Sequence, residues 1–258
     1  MTIESLWRLA AFLGVLGLLL AGERRWPRYA VPPGRGAITR ANLWLGAVDA
    51  LTLRLLLPWL AYDMALWAQR ESFGLLHQVP VGSVAAAIAG FLALDFAIYL
   101  QHRAFHAVPA LWRLHAVHHA DAYLDASSGL RFHPLEIVLS MLWKMLWVGL
   151  LGISPAVVIA FEVTLSAASL LTHTSWRVHG GLERALGSLL ITPAVHRLHH
   201  ELVAEPDRNF GSILLLWDLL LGTRVIPPPG IAHSLGIRSE KDQSQAKLLS
   251  MLKMPLKI

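Results

Sequence analysis

The chain has 258 residues, of which 55% are hydrophobic and 15% charged, with a mean hydropathy of +0.51. Ordinary soluble domains carry about 25% charge, so an integral membrane protein is expected. There is no cysteine, which excludes disulfides and thiolate metal ligands, and the net charge of +5 comes without the aromatic–basic pattern of a nucleic-acid binder.

The first apolar run, residues 6–21, is followed by Arg24, Arg25 and Arg28. It could pass for a signal peptide, but the basic flank favours a retained first membrane helix. Pro32, Pro33, Gly34 and Gly36 mark a loop. The second run, residues 43–67, carries Asp49, Arg54 and Asp63, with a kink expected at Pro58. The third, residues 81–100, contains Asp95 and leads into "QHRAFH". Residues 107–133 are amphipathic, rich in histidine and contain no span.

A fourth run (135–151) and a fifth (156–171) are separated only by Gly152, Ile153, Ser154 and Pro155, which predicts a tight helical hairpin. Lys144 and Glu162 lie nine residues either side of Ile153, at equal depth, and are expected to pair across it or share a polar cluster facing the bundle interior; the alternative is that Lys144 snorkels alone and Glu162 faces another span, at Arg54. Residues 182–191 read as amphipathic or interfacial, and residues 209–223 are too short and too marked by tryptophan and aspartate for a span. Pro227, Pro228, Pro229 and Gly230 end the expected core. Residues 239–245 read as a polar linker, and the basic, apolar tail 246–258 is expected to lie on the membrane surface. Arg24, Arg25, Arg28, Arg35 and Arg40 place the loop 22–40 in the cytoplasm. Counting spans from there puts every clustered histidine on the cytoplasmic side.

Thirteen histidines are present, and most are patterned. His102 and His106 are spaced i, i+4. His115, His118 and His119 form His-x-x-His-His, and His196, His199 and His200 repeat it. Chance gives one such triplet in roughly 8,000 windows at this histidine frequency, which weighs against coincidence. On a helix these spacings share one face. Adjacent histidines diverge by about 100°, so His118 and His119 can serve different metals of a close pair. So many imidazoles oversupply one tetrahedral site but suit two metals with open positions. A pair of irons held this way can activate O₂ toward C–H bonds.

These motifs, with "DFAIYLQHRAFH", "RFHPLE", "TPAVHRLHH" and "NFG…LLLWDLLLGT", resemble the fatty acid hydroxylase/sterol desaturase superfamily over about residues 93–223. The resemblance implies an all-α integral membrane protein: a transmembrane stem of four to five spans and a cytosolic, histidine-rich helical cap. It divides the chain into N-terminal membrane helices (1–92), a catalytic domain (93–226) and a tail (227–258). It adds His133 and His173, giving ten candidate ligands: His102, His106, His115, His118, His119, His133, His173, His196, His199 and His200. His77 and His233 are left out, and His179 falls where relatives often carry another residue. The implied activity is O₂-dependent di-iron hydroxylation or desaturation of a lipid or other long apolar substrate. It requires two iron ions, although zinc can occupy such a site in purified protein. No pattern for a fused electron-transfer domain is present, so a separate redox partner is expected to donate electrons.

Metal-bound histidines usually donate their second N–H to a carboxylate or carbonyl. Asp95, Tyr99, His102 and His106 form one helical stripe, so Asp95 and Tyr99 are candidates to support the site, with Glu136 and Asp218. A solvated or helix-capping role is the plainer reading of both Glu136 and Asp218. Phe96, Tyr99, Trp112, Leu170 and Phe210 are candidate walls of an apolar cavity reaching from the spans to the metals. The rival readings are a histidine-rich metal transporter or metal-binding protein, and a bis-histidine haem protein. Transport sites lie near the bilayer midplane, whereas these histidines cluster beyond helix ends.

Overall fold

The computed structural model describes residues 3–177, 179–201, 208–226, 235–237 and 246–258. Among them the chain is helical, and β pairing is confined to three isolated bridges. Helix α1 spans Ile3–Arg25 and α2 spans Arg35–Leu56. The kink expected at Pro58 is a complete break: Leu57 is extended, and α3 (Ala61–Arg70) restarts with Asp63 Oδ2 accepting from Leu60 N. A short α4 (Leu75–Gln78) leads to α5 (Ser83–Ala107), α6 (Pro109–His119) and a 3₁₀ turn, Ala126–Leu130. Next come α7 (Pro134–Leu151), α8 (Pro155–His173), α9 (Gly180–Leu186), α10 (Pro193–His199), α11 (Leu216–Leu220) and α12 (Leu248–Lys253). Helices α6, α7, α8 and α10 each begin on proline, which has the right φ and lacks an N–H that the first turn could not satisfy anyway.

Among the described residues, four segments are long and apolar enough to cross a membrane: Arg35–Gln78, Ser83–Ala107, Pro134–Leu151 and Pro155–His173. Leu135, Leu139, Leu142, Leu146 and Leu150 are exposed along one face of α7. Such a stripe would be an aggregation hazard in water and is what lipid requires. Inside, Leu94, Val148, Val158 and Phe161 are fully buried, and Phe91 packs edge-on to Phe161 at 5.3 Å.

The hairpin expected between the fourth and fifth runs forms. Gly152 turns it at φ +67, and a Cβ there would collide with the Phe73 carbonyl oxygen and the His77 ring. His77 therefore sits over the hairpin tip. Helix α5 also starts near this end, where Gly90 packs on Ile153 and Val157. Lys144 and Glu162 pair across the hairpin, Nζ to Oε1, at 2.7 Å.

At the other end, loops and short helices form a cap. Arg35, at the start of α2, donates to Asp121 and Asp125 at 2.5 Å each and to Ser128 at 3.0 Å. Arg131 is fully buried, with its Nε on the Val117 carbonyl at 2.7 Å. Glu23 closes α1 onto the cap by accepting from Ala126 N, Ser175 N and Thr174 Oγ1. In the tail, Met251 and Met254 are buried against Ala41, Leu45, Val117 and Ala120, while Leu249 and Leu256 are exposed and remain available to a membrane surface. The linker at 239–245, His233 and residues 227–230 lie outside the described residues.

Two outcomes test this architecture. Lys144→Met and Glu162→Gln should each reduce membrane-inserted yield, because an isolated charge at that depth costs at least about 2.5 kcal/mol. The double variant should lose less than the sum, and strict additivity would show the pair to be uncoupled. Arg35→Met strips a buried cation from two carboxylates and should cost about 3–5 kcal/mol, read as a lower thermal midpoint. Although burial opposes it, Arg35 holds the Asp121 carboxyl down to about 2, below its ordinary 3.8. Its stabilising contribution is therefore full above about pH 4 and disappears as pH falls toward 2, so the wild-type advantage over Arg35→Met should shrink in that window.

Candidate metal centre

Nine histidines converge where the ends of α5, α6, α8 and α10 meet. They form two groups, and within each the candidate ligand atoms lie within 4.8 Å of one another. The first contains His102, His106, His115, His119 and His199; the second contains His118, His173, His196 and His200. The two neighbouring pairs divide between groups: His118 from His119, and His199 from His200. The groups abut, with the His119 and His200 rings stacked 4.3 Å apart.

The donor set fits metal ions. In the second group, Nε2 of His173 lies 3.1 Å from Nε2 of both His118 and His196, and His196 Nε2 lies 3.1 Å from His200 Nε2. Nitrogens about 2.0–2.1 Å from one metal are separated by roughly 3.0–3.4 Å, and these spacings match the edges of such a coordination shell. In the first group, Nε2 of His102 and of His115 is buried with no hydrogen-bond partner among the described residues. Their other nitrogens are fixed from behind. His102 Nδ1–H donates to the Phe210 carbonyl at 2.8 Å, and His115 Nδ1–H donates to Glu136 Oε1 at 2.7 Å. His173 and His199 donate in the same way to the Ser169 and Arg208 carbonyls, at 2.6 and 2.8 Å. Each such bond selects the tautomer that leaves Nε2 as a lone-pair donor.

Burial sets the charge state. The imidazoles of His115, His118, His119, His196, His199 and His200 are held well below the ordinary histidine range, first by desolvation and then by repulsion from neighbouring rings. They are neutral at physiological pH, as ligation requires.

The remaining candidates are placed differently. His133 joins neither group: it caps α7, its Nδ1 accepting from Leu135 N, while its Nε2 faces the Leu252 carbonyl at 3.3 Å. His179 caps α9 on an exposed turn, and His77 is at the opposite end of the bundle. Glu136 touches His115 directly. Asp95, Tyr99 and Asp218 act one step further out, on the segment that presents Phe210. Asp95 accepts from Trp217 Nε1 at 2.8 Å, Asp218 accepts from the N–H groups of Phe210 and Gly211 at 2.8 Å each, and Tyr99 shares a hydrogen bond with Thr223 at 2.9 Å. Gly211 leaves room for this: a Cβ there would meet the Leu214 carbonyl at 2.7 Å and Asp218 Oδ2 at 2.8 Å. The Ser169, Arg208 and Phe210 carbonyls have no sequence signature, since every residue owns one. Arg35 and Asp121 could have been suspected as isolated charges beside the motifs.

A chamber of about 400 Å³ opens below both groups, lined by His102, His115, His118, His173 and His196 and by residues of α5, α7 and α8. Phe12, Leu53, Met141, Glu162 and Ser166 also border a cleft of about 640 Å³ between α1, α2, α3 and α8. The two spaces lie side by side, sharing these five residues as a common border between the spans and the histidines. Of the expected walls, one lines a cavity and the others pack elsewhere. Leu170 lines the outer cleft, Phe96 packs on Trp217 and Tyr99, and Trp112 and Phe210 pack on the ligand rings from outside the chamber. The inner lining is also more polar than expected, with Gln101, Ser140, Lys144, Glu162 and Ser169 among it.

Comparison with known proteins agrees with this geometry. The chain is 31% identical over 181 residues to an ornithine lipid hydroxylase of Rhizobium tropici, covering 70% of this chain and 51% of that protein. It is 30% identical over 203 residues to the alkylglycerol monooxygenase of Homo sapiens, covering 77% and 43% respectively. A Delta(7)-sterol-C5(6)-desaturase of Nicotiana tabacum is 24% identical over 204 residues, covering 76% and 70%. The chain thus spans about half the length, or less, of the first two relatives. No solved structure matches it. The sequence model for fatty acid hydroxylases matches residues 87–223, more than half of the chain and all nine clustered histidines, and the chain belongs to the fatty acid hydroxylase family.

Proposed function

We propose that this protein is a membrane-embedded di-iron oxygenase that hydroxylates a C–H bond of a membrane lipid. The observation that carries this reading is the pair of abutting imidazole groups opening on a chamber within the membrane spans. His102, His106, His115, His119 and His199 would hold one iron, and His118, His173, His196 and His200 the other. With O₂ and two electrons from a separate donor, the irons supply the oxidising power to cleave an unactivated C–H bond. The balance is one lipid C–H, O₂, two electrons and two protons giving an alcohol and one water; loss of a second hydrogen from the neighbouring carbon gives an alkene and two waters instead.

The protein's own residues do the rest. Glu136 and the Ser169, Arg208 and Phe210 carbonyls hold four rings in register, so that little reorganisation is needed during reaction. The lateral cleft admits a lipid without passage through water, and the chamber positions one carbon beneath the histidines. The arginines around α1 and α2 favour a cytoplasmic cap. The relatives named for ornithine lipid and alkylglycerol support a polar lipid as substrate. The transporter reading is disfavoured because the histidines lie at the ends of the spans.

Protein loaded with Fe(II) without oxygen should hold two irons per chain by elemental analysis, and His118→Ala/His200→Ala should hold one. Cells making the wild type should accumulate a membrane lipid heavier by one oxygen atom, or lighter by two hydrogens, and cells making the double variant should not. A single iron in the wild type would falsify the di-iron reading.

A further inference from the structure

The chamber below the histidines contains polar atoms that the fold itself leaves unsatisfied. Gln101 on α5 donates from Nε2 to Ser140 Oγ at 2.5 Å, yet its Oε1 is buried with no hydrogen-bond partner among the described residues. Exchanging the amide oxygen and nitrogen would only orphan the nitrogen instead. Lys144 is nine-tenths buried and lines the same chamber, and Glu162 accepts one of its three N–H groups. Ser140 and Lys144 are one turn apart on α7, about 6 Å along its axis. Gln101 immediately precedes His102. An unmet acceptor and spare donors therefore lie close together, within a turn or two of the metal groups. Bare methylene chains can satisfy neither. A hydroxyl or an amide, which both donates and accepts, can satisfy both. Glu162 cancels the Lys144 charge, so the site favours a neutral group over a phosphate or carboxylate.

We propose that Gln101 and Lys144 recognise a hydroxyl or amide of the lipid, so that oxidation falls on a carbon close to that polar group rather than far along an unbranched chain. This rests on the lipid reading above.

The test is equilibrium binding of radiolabelled 1-hexadecanol and hexadecane to the full chain in nanodiscs, corrected for empty nanodiscs. The wild type should hold the alcohol at least about tenfold more tightly, the scale of a hydrogen bond to a charged group. Gln101→Met should reduce that preference to about threefold or less and leave hexadecane binding unchanged. Lys144→Met/Glu162→Gln, which leaves no lone buried charge, should do the same. If both variants keep the preference, or if the wild type binds the two probes equally, the recognition site is overturned while the lipid reading stands. If the wild type binds neither above the empty discs, the lipid reading falls and the recognition site falls with it.

Discussion

Nine imidazoles packed together at the ends of the spans set the terms for the rest of this structure. Their Nε2 atoms converge to about 3 Å in the second group, the spacing that nitrogen ligands of one cation take. Protonation is disfavoured there, because burial and the crowding of neighbouring rings oppose a positive charge on His118, His196 and His200. The fold meets this constraint by fixing the far side of the rings. Carbonyls from three separate segments, and the carboxylate of Glu136, take the second nitrogen of His173, His199, His102 and His115. Much of the cap exists to aim those acceptors. Asp95 and Asp218 are examples, holding the turn that carries Phe210.

Helix α7 ties the metal groups to the chamber. Glu136, Ser140 and Lys144 recur every four residues and line one side of the cavity. The first steadies His115, the second steadies Gln101, and the third pairs with Glu162. The opposite face of the same helix is a leucine stripe. Its sequence therefore satisfies lipid outside and polar chemistry inside with one periodicity.

The sequence is most legible where local geometry decides. The division of His118 from His119 follows from a turn of about 100° per residue. The Lys144–Glu162 pair follows from equal offsets on a four-residue hairpin. The break at Pro58 is stronger than a kink because four residues, 57–60, leave the helix before α3 restarts. What was not legible depends on tertiary approach. Nothing local reveals that His133 turns toward Leu252, that the tail covers α2, or that Phe96 and Phe210 face away from the chamber. Those outcomes depend on which face of a helix meets which neighbour. An amphipathic pattern also cannot distinguish lipid from protein as the apolar partner.

The histidine groups draw on widely separated parts of the chain, which gives their completion a direction in time. A polypeptide leaves the ribosome from its N-terminus and folds as it emerges. When α8 has been made, His102, His106, His115 and His119 are all present, so the first group lacks only His199. At that moment the second group has only His118 and His173 and still awaits His196 and His200. By then one half has four of its five histidines in the chain, while the other has two of its four until roughly thirty more residues have been added, a delay of seconds at about 5–20 residues per second. Biosynthesis therefore treats the two halves unequally, even though they abut in the finished protein.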